Sequence, residues 1–109
     1  MYEITLKQGG VDKVFKKDYI NVEDNLLAVE HQVRQSALYS NGKLLLDPKK
    51  HRNLNEAYLQ MFVDMYGKQF SVADLKQADM SVLETLNSLY LDALGGKKDD
   101  TNGEDPKEA

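Results

Sequence analysis

The chain has no cysteine among its 109 residues, which excludes a disulfide framework and a thiolate metal site. It has only two histidines, His31 and His51. We expect His31 to face solvent from a helix, near Glu30 and Arg34, while His51 lies in a basic cluster that disfavours a bound cation. Neither histidine has a second ligand at helical spacing, so the sequence predicts no metal site.

Long apolar runs and catalytic motifs are also missing. No run approaches the roughly 20 residues of a membrane span, and the charged segment MYEITLKQ is unlike a signal peptide. The sequence has no P-loop, no G-x-G-x-x-G and no G-x-S-x-G motif. We therefore expect a protein that is not an enzyme, that has no catalytic residue and no cofactor, and that does not enter a membrane.

Positive charge is in short supply as well. The formal net charge is −4, and a mildly acidic chain is poorly suited to neutralising nucleic-acid phosphates. The one local exception is the basic run at 49–52, which we interpret as an exposed loop or helix start, because aromatic and glycine neighbours are missing. We expect no nucleic-acid partner.

A β-hairpin is predicted at the N-terminus. Apolar and polar residues alternate over 2–7, Gly9-Gly10 is a hairpin signal, and 11–17 forms the returning strand with Phe15 directed inward. An isolated hairpin is marginally stable in water. It must therefore lie against helices or pair with another chain.

The first predicted helix is capped by Asn21 and runs to about Tyr39. Gly42 can end it in the left-handed conformation. The apolar stripe of this helix comprises Val22, Leu26, Val29, Val33 and Ala37. The next segment, 44–46, is a packed linker or the end of a helix.

The second main helix begins at Asp47-Pro48 or, alternatively, at Asn53. Its predicted buried stripe comprises Leu54, Tyr58, Met61, Phe62 and Met65. Other apolar residues widen this surface beyond one face, which indicates a helix at the centre of the fold or at an interface. The predicted partner-binding residues are Leu59, Met61, Phe62, Val63, Met65 and Tyr66, of which Met61 and Met65 could serve the core instead.

A structural corner follows this helix. Gly67 stops the helix, Phe70 packs back onto the core, and Ser71 caps a short helix over about 72–78. The pattern at 81–84 predicts a capping box for a last helix over about 82–94, which ends at Gly95-Gly96. The stripe of that helix comprises Val82, Leu86, Leu89, Tyr90 and Ala93.

These elements predict an α+β fold that is mostly helical, with an N-terminal β-hairpin followed by three main helices and one short helix. Residues 1–96 form the single predicted domain. Residues 97–109 have no large apolar side chain, so we expect a disordered acidic tail.

The residues alone favour a binding module whose apolar helix surface contacts another helix or its own copy. A small helix-turn-helix regulator is the alternative, built from the short helix and the last one. The last helix has no Arg or Lys through Leu94 where base-reading residues would be needed, which argues against DNA binding.

The phrase Tyr66-Gly67-Lys68-Gln69-Phe70-Ser71, followed by Val72-Ala73-Asp74-Leu75, resembles the tail assembly chaperones of long-tailed siphovirus phages and prophages of Gram-positive bacteria. The similarity covers most of the chain, from a hairpin with a lysine-rich second strand to a final helix that closes at glycines. Two departures are Tyr66, where phenylalanine is usual, and 77–80, where many members have a D-G-L-like turn.

The resemblance implies a non-catalytic chaperone that binds the long helical tape-measure protein, keeps it soluble and helps to recruit tail-tube subunits. It implies work in the cytoplasm of the bacterial host and absence from the mature virion. Self-association is a further possibility, since many copies along one rod would give avidity from modest single-site affinity.

Overall fold

The computed structural model describes residues 2–95, so the predicted tail at 97–109 lies outside the described residues. The elements in chain order are β1 (Tyr2–Gln8), β2 (Val11–Lys17), α1 (Val22–Tyr39), α2 (Gly42–Leu45), α3 (Pro48–Met65), α4 (Val72–Lys76) and α5 (Met80–Ala93). The predicted α+β class is confirmed, with a hairpin and three long helices. The one-turn helix α2 is an addition, formed by a segment that the apolar pattern alone left unclassified.

The predicted hairpin forms, and the structure decides its register, which the sequence left open. Ile4 pairs with Phe15 across the antiparallel ladder, and Gly9 and Gly10 make the turn at φ +60° and +79°. These positive φ values favour glycine because a Cβ atom would meet the backbone there. Ile4, Leu6 and Phe15 are buried, and β1 lies against α4 and α5, so helices cover the face that an isolated hairpin would expose.

One buried ion pair connects the hairpin to α1. Asn21 caps the helix, and its side chain accepts the N–H of Asp24 while the Asp24 carboxylate accepts the N–H of Asn21. Lys17, at the end of β2, places its ammonium 2.7 Å from the same carboxylate. The two side chains are only 10% and 3% exposed. The pair therefore fixes where the strand ends and where the helix begins.

The core lies between the hairpin and the long helices, and α3 and α5 supply the largest shares of it. Phe62, Leu86 and Leu89 are fully buried, and the rings of Phe15 and Phe70 meet edge to face with centroids 5.0 Å apart. All five predicted stripe residues of α5 are buried, as the sequence indicates.

Two predicted helix boundaries are wrong. Gly42 does not take a left-handed conformation. It is the first residue of α2, because Asn41 caps a new turn there with its side-chain oxygen. Helix α5 starts at Met80 rather than after Ser81, because the carboxylate of Asp79 accepts the Ser81 N–H at 2.9 Å and caps the helix two residues earlier.

The choice left open for the start of α3 is decided: the helix begins at Pro48 with Asp47 as its cap. Helix α4 ends at Lys76, two residues short of the predicted Ala78.

The expectation that His31 faces solvent is wrong, since its side chain is 4% exposed. Its ring lies 4.9 Å from that of Tyr58 and 5.7 Å from that of Tyr90, measured between centroids. Burial, together with the nearby charge of Arg34, lowers the pKa of His31 below its usual 6.5. The imidazole is therefore neutral in the folded protein at neutral pH.

We expect Asp24→Ala to lower the free energy of unfolding by about 3 kcal/mol or more, because it removes one hydrogen bond of the capping box of α1 and leaves the Lys17 charge buried without a partner. Urea denaturation measures the change. Asp12→Ala is the matched control, since its pair with Lys7 is exposed and contributes little. Equal losses in the two variants would contradict the assignment.

The lowered pKa of His31 predicts a pH-dependent stability. The unfolded chain binds a proton on this histidine as the pH falls below about 6.5, and the folded protein resists it, so the free energy of unfolding decreases in that range. Denaturation at about pH 7.5 and about pH 5.5 compares the two states of the imidazole. His31→Phe should reduce the difference, and His51→Asn should keep it. A difference that is unchanged in His31→Phe would assign it to other groups.

Candidate partner-binding surfaces

The structure places five of the six predicted partner-binding side chains in the core. Leu59 is half-buried, and the buried five are Met61, Phe62, Val63, Met65 and Tyr66. Of the two alternatives for the wide apolar surface of α3, the structure shows a helix at the centre of the fold. Direct binding through these five side chains remains a prediction that would require α3 to be uncovered.

Neighbouring elements cover α3 from two sides. The Tyr66 hydroxyl donates to the carbonyl oxygen of Tyr2 at 3.0 Å, which joins the end of α3 to the hairpin. The Tyr58 hydroxyl donates to the Asn87 side chain at 2.6 Å, which joins its middle to α5. Aspartate at Phe62 would place a charge in this core and unfold the protein, so a partner surface must be tested elsewhere.

The corner after α3 has the geometry that the sequence indicates. Gly67 is left-handed at φ +73°, its N–H donates to the Asp64 carbonyl at 3.1 Å, and the Lys68 N–H donates to the Val63 carbonyl at 2.8 Å. These are the two bonds of a Schellman motif. Lys68 is itself left-handed at φ +60°, which the sequence did not signal.

The chain beyond this corner also turns as expected. Phe70 is buried with its ring 5.3 Å from that of Tyr66, and Ser71 caps α4 in a capping box with Asp74. The motif sets the direction of the chain and brings no reactive group together.

A groove of about 910 Å³ lies where α2, α3 and α4 meet. Its apolar wall includes Leu46, which is 83% exposed, together with Leu45 and the accessible side of Leu59. The His51 ring contacts the Leu45 carbonyl oxygen at 2.6 Å and supports this turn from below. The groove is the place where the predicted α3 surface reaches solvent.

Charged side chains line the same groove beside the leucines. The Glu56 carboxylate pairs with Lys76 of α4 and lies 3.4 Å from Arg52. The hydrogen bond and charge of Lys76, supported by Arg52, hold the pKa of Glu56 below its usual value. The carboxylate is thus ionised at neutral pH, and the groove combines apolar and ionic side chains.

A second apolar surface lies on α1. The predicted stripe points away from the core, and the exposed fractions of Val22, Leu26, Val29 and Val33 are 76%, 49%, 41% and 64%. The face that packs on the core is instead formed by Asp24, Ala28, His31 and Leu38. Sequence reasoning found the stripe but missed its orientation, because the core face of α1 includes an aspartate and a histidine that hydropathy ranks as outward.

Helices α4 and α5 are consecutive, as the helix-turn-helix alternative requires, but α5 has no Arg or Lys from Met80 to Ala93. Val82 and Leu86, near its start, are buried. These side chains cannot read base edges, so the structure adds nothing in favour of DNA binding.

Residues 2–95 give no support for a metal site or for a membrane-spanning helix. No group of three or more His, Asp or Glu side chains there is close enough to hold a metal ion. No helix in that range combines the length and the apolar character that crossing a bilayer requires.

Comparison with known proteins tests the family directly. Neither characterised proteins nor solved structures give a significant match. A family model described as "Phage tail chaperone protein" matches residues 1–109, which is the whole of the chain. With a hairpin, a helical core and two exposed apolar surfaces already in place, that match shows that the chain belongs to the family of phage tail chaperone proteins.

Proposed function

We propose that this tail assembly chaperone binds the tape-measure protein, keeps it soluble and helps to recruit tail-tube subunits around it. The observation that carries the proposal is the groove between α2, α3 and α4, with Leu45, Leu46 and Leu59 on its apolar wall. Family membership supplies the role in tail assembly, and the groove supplies a site that an assembly partner can occupy.

The groove suits an amphipathic helix. Helix-in-groove recognition seats apolar anchors at helical spacing in an apolar trough and leaves the polar face outside. Leu46 and Leu59 can receive such anchors, while Glu56 and Lys76, which also line the groove, can pair with charges on the bound helix. A tape-measure protein is a long helical rod, so it presents many segments of this kind.

The five buried side chains among the predicted partner-binding residues contribute to this binding indirectly. They pack α3 against the hairpin and α5, and so they fix where Leu59 and Glu56 point. Modest affinity at one groove is enough, because many copies bound along one rod give avidity. The protein acts by binding, without catalysis, in the host cytoplasm during assembly.

Leu46→Asp tests the groove. The side chain is 83% exposed, so the variant should fold with wild-type circular dichroism and melting temperature. Each chaperone is co-expressed with the tape-measure protein from the same phage genome, and the soluble, co-purifying fraction is measured. We expect about a tenfold loss or more, because a charge opposes an apolar anchor.

Leu91→Asp is the matched control, since Leu91 is 57% exposed on α5 and does not line the groove. It should capture the tape-measure protein as the wild type does. Wild-type capture by Leu46→Asp would refute the groove as the binding site. Failure of the wild-type protein itself to solubilise the tape-measure protein would refute the proposed function.

A further inference from the structure

Helix α1 is apolar on two opposite faces. One face packs on the core through Ala28 and Leu38, and the other presents the stripe Val22, Leu26, Val29 and Val33 to solvent. Contiguous exposed apolar surface on a small protein marks an interaction site more often than isolated apolar residues do. The stripe extends for about 16 Å and shares no residue with the groove.

We propose that a second copy of this chain docks on the stripe, with the two α1 helices antiparallel and related by a two-fold axis. The spacing of the four side chains is four, three and four, which is the same in both directions. An antiparallel copy therefore places Val22 opposite Val33 and Leu26 opposite Val29, and each pairing occurs twice. When two helices pack together, the side chains that interlock between them also recur at spacings of three and four residues.

The charges beside the stripe distinguish the two orientations. Glu23, Glu30 and Arg34 are exposed on one flank of it, and Asn25, Gln32 and Ser36 lie on the other. In an antiparallel pair like flanks meet with their ends exchanged, so Glu23 of one copy can pair with Arg34 of the other, twice, and it lies equally near Glu30 of that copy. In a parallel pair the charged flank would meet the uncharged one, and these ion pairs would not form.

The three charged side chains are available for such pairing. None of them forms an ion pair within residues 2–95. Glu23 lies near the N-terminal end of the stripe and Arg34 near its C-terminal end, which is the separation that an exchange of ends requires, while Glu30 lies in the C-terminal half.

This inference does not depend on the tape-measure proposal, because it uses another surface and only the chain itself. The test is the molar mass of the full chain by analytical ultracentrifugation across a concentration series. We expect a species of twice the 12.4 kDa monomer mass. Val33→Glu should weaken association about tenfold or more, since it puts a carboxylate opposite Val22. Val14→Glu, on the outward face of the hairpin at 52% exposure, should not.

A cysteine experiment tests the orientation, and the chain has no cysteine of its own to interfere. A disulfide needs Cα atoms within about 7 Å of each other. Under mild oxidation, a mixture of Val22→Cys and Val33→Cys chains should cross-link, while Val33→Cys alone should not, because its two copies lie about 16 Å apart. Efficient cross-linking of Val33→Cys alone would show a parallel pair and overturn the orientation.

Other outcomes would overturn the proposal outright. A monomer at all concentrations up to about 1 mM would do so. A dimer that is unaffected by Val33→Glu would place self-association on another surface. A monomer whose Val33→Glu variant loses capture of the tape-measure protein would assign the stripe to that partner instead.

Discussion

The fold depends on covering α3. Met61, Phe62 and Val63 are consecutive and all buried, and three successive residues of a helix point in three different directions. Such a helix cannot rest one face on a core and leave the other in water. The hairpin closes over its C-terminal end through Tyr66, and α5 closes over its middle through Tyr58. The corner at Gly67 returns the chain so that Phe70 can complete the cover.

This covering decides where apolar surface remains for other molecules. Because α1, α4, α5 and the hairpin together surround α3, the exposed leucines and valines belong to the outward faces of the surrounding elements. They form the groove beside Leu46 and the stripe along α1. The groove is concave and includes ionic side chains. The stripe is a straight ridge, and the spacing of its side chains is the same in both directions. The two shapes suit different occupants, which is why a foreign helix is assigned to the groove and a second copy to the stripe.

The polar groups inside the protein determine the orientation of α1. Asp24 completes a capping box and accepts the Lys17 ammonium, so the helix must turn this carboxylate inward. His31 lies on the same side, against Tyr58 and Tyr90. Once a paired charge and a neutral imidazole occupy the inner face, the row of valines must face water. An apolar residue left in water costs less than an unpaired charge left in the core.

Local chemistry in the sequence was enough for the hairpin turn, the caps at Asn21 and Ser71, the left-handed Gly67 and the buried stripe of α5, because each depends on residues close together in the chain. It was also enough for the family resemblance, which the whole-chain match bears out. Only the tertiary structure decided that the apolar width of α3 is buried and that the stripe of α1 is exposed. Hydropathy ranks side chains one at a time. The face of a helix that turns inward depends instead on partners from distant segments of the chain. In α1 these partners are Lys17 for Asp24 and the aromatic rings for His31.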